Sequence, residues 1–147
     1  MSDITASASI VVDRPRQQVW KALTEPDLVK QYFMGATVTT DWQVGHPITF
    51  SAKWKDETFE DKGEILTFKP EKEMSYSQWS PLSGADDVPD NYHVVHIALD
   101  DAGSGTKVTL EQSNLKGGVT EEDKASRADY EKNWTSTLEG LKKVVEA

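Results

Sequence analysis

The last 28 residues of the chain, 120–147, have the spacing of a long amphipathic helix. Large apolar side chains recur there at intervals of four, four, three and four residues, which places them on one stripe of a helix with 3.6 residues per turn. The stripe consists of Tyr130, Trp134, Leu138, Leu141 and Val145. Residues 120–123 read Thr-Glu-Glu-Asp, which is typical of a capping box with acids at the positive end of the helix dipole. Unbroken to Glu146, this helix would be about 39 Å long, and it must cover an apolar surface.

The residues before this helix alternate apolar and polar side chains, as half-buried strands do. Strands are expected at residues 4–12, 36–40, 48–54, 59–68, 74–79, 92–99 and 106–112. After the first strand, Pro15 sits where a helix favours its first residue. Pro26 ends that short helix and starts a second one, and Gly35 ends the helical pattern.

A sheet with one wet face must cover its other face, and the C-terminal helix is the only element long enough to do so. We therefore predict an α+β fold in which a curved antiparallel sheet of about seven strands wraps around the long C-terminal helix. The two short helices after strand one would close one end. A cavity between the sheet and the helix is the natural place for a ligand. The connection at 80–90 either gates this cavity or forms a solvated acidic hairpin.

The composition bounds the class of protein. At 147 residues the chain is expected to form one domain, residues 1–147. There is no cysteine, which rules out disulfides, thiolate metal sites and a cysteine nucleophile. The formal net charge of −9 repels nucleic acid and anionic membrane surfaces. With neither a leader pattern nor a long apolar run in the sequence, we expect a cytoplasmic protein.

Three segments resemble the activator-of-heat-shock-ATPase-like (AHSA-like) branch of the START-like, birch-allergen-like SRPBCC superfamily. They are RPRQQVWKALTEPDL at 14–28, GEIL at 63–66 leading to Trp79, and NWTSTLEGLK at 133–142. The resemblance implies a helix-grip fold over nearly the whole chain. It names no single activity, because this superfamily includes lipid carriers, hormone receptors, cyclases and co-chaperones.

The chain departs from the family pattern at two places. Tyr32 and Phe33 stand where the family usually has two tryptophans, and His46 follows Gly45 where a second glycine is common. Both departures are expected to alter the rim of the cavity.

Two of the three histidines lie close together in one predicted strand. His93 and His96 are three residues apart, so they point to opposite faces and cannot chelate one ion without a bulge. Parity with Val95 turns His93 inward and His96 outward. An inward histidine is either a hydrogen-bonded structural residue or an acid–base group. No metal site is expected.

Several polar residues share the parity of apolar neighbours and are therefore candidates for the cavity wall. Gln112 and Asn114 share the inward parity of Leu110. Asp61 shares the parity of Phe59 and Ile65, unless a bulge near Gly63 reverses its face. Exposure at the strand end is the alternative for Gln112 and Asn114.

Charged residues elsewhere favour plainer interpretations. Asp123 and Arg127 lie on the helix stripe and form either a charged rim to the cavity or an ordinary i,i+4 pair. The acids at 57–61 and at 86–90 are expected to be solvated.

These observations predict a protein that binds a small hydrophobic or aromatic ligand in the cavity, with no catalytic residues and no cofactor. The expected lining consists of Trp42, Phe50, Trp54, Tyr76, His93, Gln112, Tyr130 and Trp134. The resemblance suggests a first alternative, a co-chaperone-like module that binds a chaperone or another protein. A second alternative is a cyclase- or dehydratase-like enzyme that uses His93. Monomer and homodimer both stay open.

Overall fold

The computed structural model describes residues 4–33, 35–54, 57–81 and 85–147 of the chain. Its elements are β1 (Ile4–Val12), α1 (Arg16–Thr24), α2 (Pro26–Tyr32), β2 (Thr37–Thr39), β3 (Pro47–Trp54), β4 (Glu57–Lys69), β5 (Glu73–Gln78), a 3-10 turn (Pro89–Asn91), β6 (His93–Ala102), β7 (Gly105–Asn114) and α3 (Glu121–Glu146). The predicted fold class is confirmed: a curved antiparallel sheet wraps around the long C-terminal helix.

In the described part of the chain the sheet has seven strands in the order β1-β7-β6-β5-β4-β3-β2. From β2 to β7, neighbouring strands are consecutive in sequence. Strand β1 lies at the edge of the sheet and pairs with β7, with Ala8 opposite Leu110. The alternation in β7 works as expected, because Val108, Leu110 and Gln112 are buried. This inner face meets α3.

Helix α3 begins with the predicted capping box. The Asp123 N–H donates to the Thr120 hydroxyl at 3.0 Å, and the Thr120 N–H donates to the Asp123 carboxylate at 2.9 Å. Further along, Leu138 and Leu141 are fully buried, while Trp134 is half-buried against the core. The helix therefore covers the sheet mainly with its C-terminal half.

The same helix also covers the free edge of β1. Glu131 accepts a hydrogen bond from the Ser7 N–H at 2.8 Å, and Glu146 accepts one from the Asp13 N–H at 2.7 Å. Between them the Lys142 ammonium donates to the Val11 carbonyl at 2.9 Å. These bonds occupy backbone groups that an edge strand would otherwise offer to another chain.

Three details bear on the sequence expectations, and one of them differs. Helix α1 begins at Arg16, and Pro15 is its N-cap. Strand β4 has its irregularity between Ile65 and Thr67, beyond Gly63, so Asp61 keeps its inward parity. The side chain of Trp54 and residues 82–84 of the 80–90 connection lie outside the described residues, so the expectations placed on them stay predictions.

Candidate functional site

The apolar space under α3 is almost filled. Aromatic rings crowd it: Phe33 and Phe50 stack with centroids 5.0 Å apart, and Phe50 meets Tyr76 at 5.5 Å. The remaining void has a volume of about 30 Å³, roughly the space of one water molecule. Three predicted lining residues, Trp42, Phe50 and Tyr76, are part of its wall. We call this space the interior void. At this volume it is too small for a planar ligand.

One end of the inner sheet face is polar instead. Gln78, His93 and Asn114 lie side by side across β5, β6 and β7, because Gln78 pairs with His93 and His93 pairs with Asn114. The row continues onto the helix, where the Asn114 amide donates to the Asp123 carboxylate at 2.8 Å. On the other side the Gln78 amide donates to Asp61 at 3.2 Å.

This polar row forms the floor of a second, much larger space. We call it the polar cleft, and its volume is about 650 Å³, within the usual range of small-molecule sites. Its wall consists of Gln78, Trp79, Ser80, Ala85, Asp90, Asn91, His93, Asn114, Lys116, Gly117, Thr120, Glu122, Asp123, Tyr130 and Asn133. It includes two of the predicted site residues, His93 and Tyr130.

His93 has an unusual position in this wall. Its Nδ1 atom is buried, and among the described residues it is the one buried side-chain nitrogen or oxygen without a hydrogen-bond partner. The imidazole ring meets the Tyr130 ring edge-on, with centroids 6.4 Å apart and an angle of 61° between the planes. A buried polar atom without a partner costs about 1–3 kcal/mol, so a ligand that bonds to it would recover stability.

Asp123 places a negative charge at the base of the cleft. It is only 5% exposed. Burial raises the pKa of this carboxyl group, but hydrogen bonds from Thr120 and Asn114 outweigh that effect, so its pKa lies below the usual value. Asp123 is therefore ionised at neutral pH. Of the two interpretations of Asp123 and Arg127, the i,i+4 pair between them is wrong: Asp123 is turned toward Asn114 and Thr120, and Arg127 donates to Glu131 at 3.2 Å.

Gln112 and Trp134 separate the two spaces. The Trp134 indole N–H donates to the Gln112 side-chain carbonyl at 2.8 Å, and the Gln112 amide donates to the Thr5 hydroxyl at 3.2 Å. Gln112 is thus satisfied within the protein. Along α3, Trp134 follows the cleft residues Tyr130 and Asn133 and precedes the residues that line the void.

The remaining candidates lie away from both spaces. His96 points outward, and its Nε2 atom is 3.8 Å from the Glu73 carboxylate.

No group of three potential ligands among the described residues could hold a metal ion. Nor does any helix in those residues have the length and apolar character needed to cross a membrane. Asp87 in the second acidic group is exposed, as expected, and there it forms an ion pair with Lys62 and accepts from the Tyr92 hydroxyl at 2.5 Å.

The sequence reasoning missed most of the cleft wall, including Gln78 and Asn133. Gln78 has the inward parity of Tyr76, and Asn133 lies one turn after Tyr130 on the same side of the helix. Both signals were local and readable. The polar row itself was not, because it depends on which strand positions are paired.

The sequence of the chain matches one family model. The model described as Activator of Hsp90 ATPase homolog 1-like protein matches residues 13–146. The solution structure of ChR145 from Cytophaga hutchinsonii is 41% identical, covers 96% of this chain and 92% of that chain, and has a TM-score of 0.77. No curated protein matches the chain significantly.

More distant structures share the fold. Protein MLL2253 from Mesorhizobium loti is 24% identical, with 95% of this chain and 96% of that chain covered and a TM-score of 0.72. The Aha1 dimer from Colwellia psychrerythraea is 17% identical, with coverages of 96% and 95% and a TM-score of 0.69. At these identities the likeness shows the fold alone.

Proposed function

Since the chain belongs to the family of Activator of Hsp90 ATPase homolog 1-like proteins, we propose that it binds a small aromatic molecule in the polar cleft. The observation that carries this proposal is the buried, unpaired Nδ1 atom of His93 in the wall of a cleft of about 650 Å³. The cytoplasmic location and the absence of catalysis expected from the sequence stay predictions.

The cleft offers the two kinds of contact that a planar polar ligand uses. Tyr130 and Trp79 provide aromatic surface, on which a flat ring can pack edge-to-face or offset. His93, Asn114 and Gln78 provide hydrogen-bonding groups at fixed positions, because they sit on paired strands. The interior void, at about 30 Å³, would have to expand many-fold to admit the same ligand.

The proposal is tested by filling the cleft. Asn133 is exposed on α3 and lines the cleft, so Asn133→Trp would place an indole in the ligand space. Ser136→Trp, at an exposed position of α3 that does not line the cleft, is the matched control. Isothermal titration calorimetry with 1-naphthylmethanol should give one site per chain. In a thermal denaturation experiment the same compound should raise the melting temperature of the protein.

We expect Asn133→Trp to weaken this binding at least about tenfold, and Ser136→Trp to bind as the unmodified protein does. Equal binding by Asn133→Trp would place the ligand elsewhere. If neither 1-naphthylmethanol nor a set of flavonoid-like, polyketide-like and fatty-acid compounds binds saturably, the ligand-binding proposal is wrong.

A protein partner is the second candidate, favoured by exposed apolar side chains beside the cleft. Val88, Leu115 and Val119 are 43%, 39% and 38% exposed, and they lie in the two segments that border the cleft. The family name suggests a heat-shock ATPase as the partner. In that case the purified chain should raise the ATP hydrolysis rate of an Hsp90-type ATPase. Leu115→Glu should abolish this effect, and Val44→Glu, at a 60% exposed position in another loop, should not.

A further inference from the structure

The charges around the polar cleft are unbalanced. Three acids line it, Asp90, Glu122 and Asp123, against one lysine, Lys116. Lys116, Asp90 and Glu122 are exposed and therefore well screened, whereas Asp123 is buried. The charge that acts most strongly on a bound molecule is thus the negative charge of Asp123.

Asp123 also has unused hydrogen-bonding capacity. Its carboxylate accepts two hydrogen bonds, one from the Asn114 side-chain amide and one from the Thr120 backbone N–H. Both are accepted by Oδ2. Within the described residues Oδ1 therefore has no hydrogen-bond donor, although a carboxylate oxygen can accept two.

The neighbouring His93 presents a matching group. Its unpaired Nδ1 atom accepts a hydrogen bond in the neutral tautomer that carries the proton on Nε2. Asp123 Oδ1 and His93 Nδ1 can therefore both accept a hydrogen bond from a ligand. An ammonium group supplies three N–H donors and a positive charge at one point.

The aromatic rings of the cleft differ in what they can bind. The Lys62 ammonium already lies 5.7 Å from the centre of the Trp79 ring. The Tyr130 hydroxyl is paired with the Ser126 side chain, and its ring meets His93 edge-on. No cation lies over this ring among the described residues, and an aromatic face next to a carboxylate favours a cation.

We propose that the polar cleft selects aromatic molecules that carry a protonated amine, with the ammonium group bound between Asp123 Oδ1 and His93 Nδ1 and the ring against Tyr130. This inference rests on the proposed function, because it names the ligand class for the same cleft. It predicts that a carboxylate in place of the ammonium group is rejected by repulsion from Asp123.

Three naphthalene compounds of similar size test this selectivity: 1-naphthylmethylamine, 1-naphthylmethanol and 1-naphthoate. At neutral pH and low salt, calorimetry should give the highest affinity for the amine. The alcohol should bind at least about tenfold more weakly and the carboxylate more weakly still. Because Asp123 is buried, the preference for the amine over the alcohol should persist when the salt concentration is raised, whereas an attraction that came from the exposed acids alone would be lost.

The variant Asp123→Asn removes the charge and keeps the shape. It should lower the affinity for the amine about tenfold or more and change that for the alcohol less than about threefold. Asp129→Asn, an exposed acid of the same helix outside the cleft, is the control for net charge and should bind all three compounds as the unmodified protein does.

The possible outcomes separate the two proposals. If the alcohol binds and the amine binds no better, or Asp123→Asn weakens both equally, the selectivity for amines is wrong while the cleft remains a binding site. If none of the three compounds binds, the selectivity for aromatic amines is wrong; if the wider set of flavonoid-like, polyketide-like and fatty-acid compounds also fails to bind, the binding function itself is wrong. The ranking of the three compounds on the unmodified protein decides the proposal even if Asp123→Asn does not fold.

Discussion

His93 has a buried nitrogen atom whose missing hydrogen bond lowers the stability of the free protein, and it lies where a ligand can reach it. Its Nδ1 atom lacks a partner inside the protein, yet the ring forms part of the cleft wall. Asn114 and Asp123 beside it are hydrogen-bonded to each other. A residue that weakens the free protein and can bond to a ligand is typical of a binding site, where stability is given up for function.

We therefore expect His93→Phe to separate stability from binding. Phenylalanine has no unpaired polar atom, so the free energy of unfolding should stay within about 0.5 kcal/mol or rise. Affinity for a cleft ligand should fall by about 0.5–1.5 kcal/mol, the worth of one hydrogen bond. Urea denaturation and calorimetry measure the two quantities.

His96→Phe, on the outer face of the same strand, is the control and should leave affinity unchanged. A large loss of stability in His93→Phe with unchanged affinity would make His93 a structural residue. A turnover reaction that this variant abolishes while binding survives would instead move the protein into the enzyme class.

At the scale of elements, α3 has two close contacts that fix its position. Gly140 faces α2, where a Cβ atom on residue 140 would lie 2.9 Å from the Tyr32 Cβ. Glu131, Lys142 and Glu146 bond to the edge of β1. The first contact sets how near α2 can pack, and the second sets the position of α3 along the sheet.

Gly140→Ala should therefore reverse the usual effect of this substitution. Alanine in a helix is normally more favourable than glycine by about 0.8–1 kcal/mol. Here the added methyl group would push Tyr32 away, and overpacking of this kind costs about 1–3 kcal/mol. We expect a lower denaturant midpoint for Gly140→Ala and an unchanged or slightly higher one for Ser136→Ala, at an exposed position of α3. A higher midpoint for Gly140→Ala would contradict the close packing of α2 on α3.

The hydrogen bonds between Glu146 and its partners Asp13 and Lys142 should make the stability of the protein depend on pH. The Asp13 N–H and the Lys142 ammonium hold the pKa of Glu146 below its usual value. A carboxyl group with a lowered pKa in the folded state contributes stability above its unfolded pKa, and this contribution is lost as the pH falls through the folded pKa. Below that range Glu146 is protonated in both states and contributes nothing.

Glu146→Gln should accordingly lower the melting temperature at neutral pH. The difference in melting temperature between this variant and the unmodified protein should become smaller as the solution becomes acidic. Glu139→Gln, at an exposed position of the same helix, should follow the unmodified protein throughout. A constant difference at every pH would mean that the charge of Glu146 is not involved.

At the scale of the whole molecule, the sequence predicted the architecture well because the architecture follows local periodicity. The stripe from Tyr130 to Val145 was sufficient for α3. Alternation predicted the inner face for His93 and made Gln112 a candidate for it, and the burial of Gln112 excludes the alternative of exposure at the strand end. The partners of these residues could not be predicted locally. Gln112 is bonded to Thr5, 107 positions away, and to Trp134.

The volumes of the two spaces could not be predicted either. The sequence indicated one aromatic cavity, but Phe33, Phe50 and Tyr76 pack their rings together and leave about 30 Å³. Ring packing of this kind depends on three elements at once, and periodicity does not contain it. The polar row at Gln78, His93 and Asn114 opens the larger space instead.

The central claim is that a ligand binds in the polar cleft and not in the interior void. Amide chemical shifts of the ¹⁵N-labelled protein, titrated with 1-naphthylmethanol, test it most directly because each residue reports separately. We expect saturable shifts at His93, Asn114 and Asn133, with Ile97 and Leu141 nearly unchanged. Shifts centred on Ile97 and Leu141 would show that the interior void opens to take the ligand, and would contradict the claim.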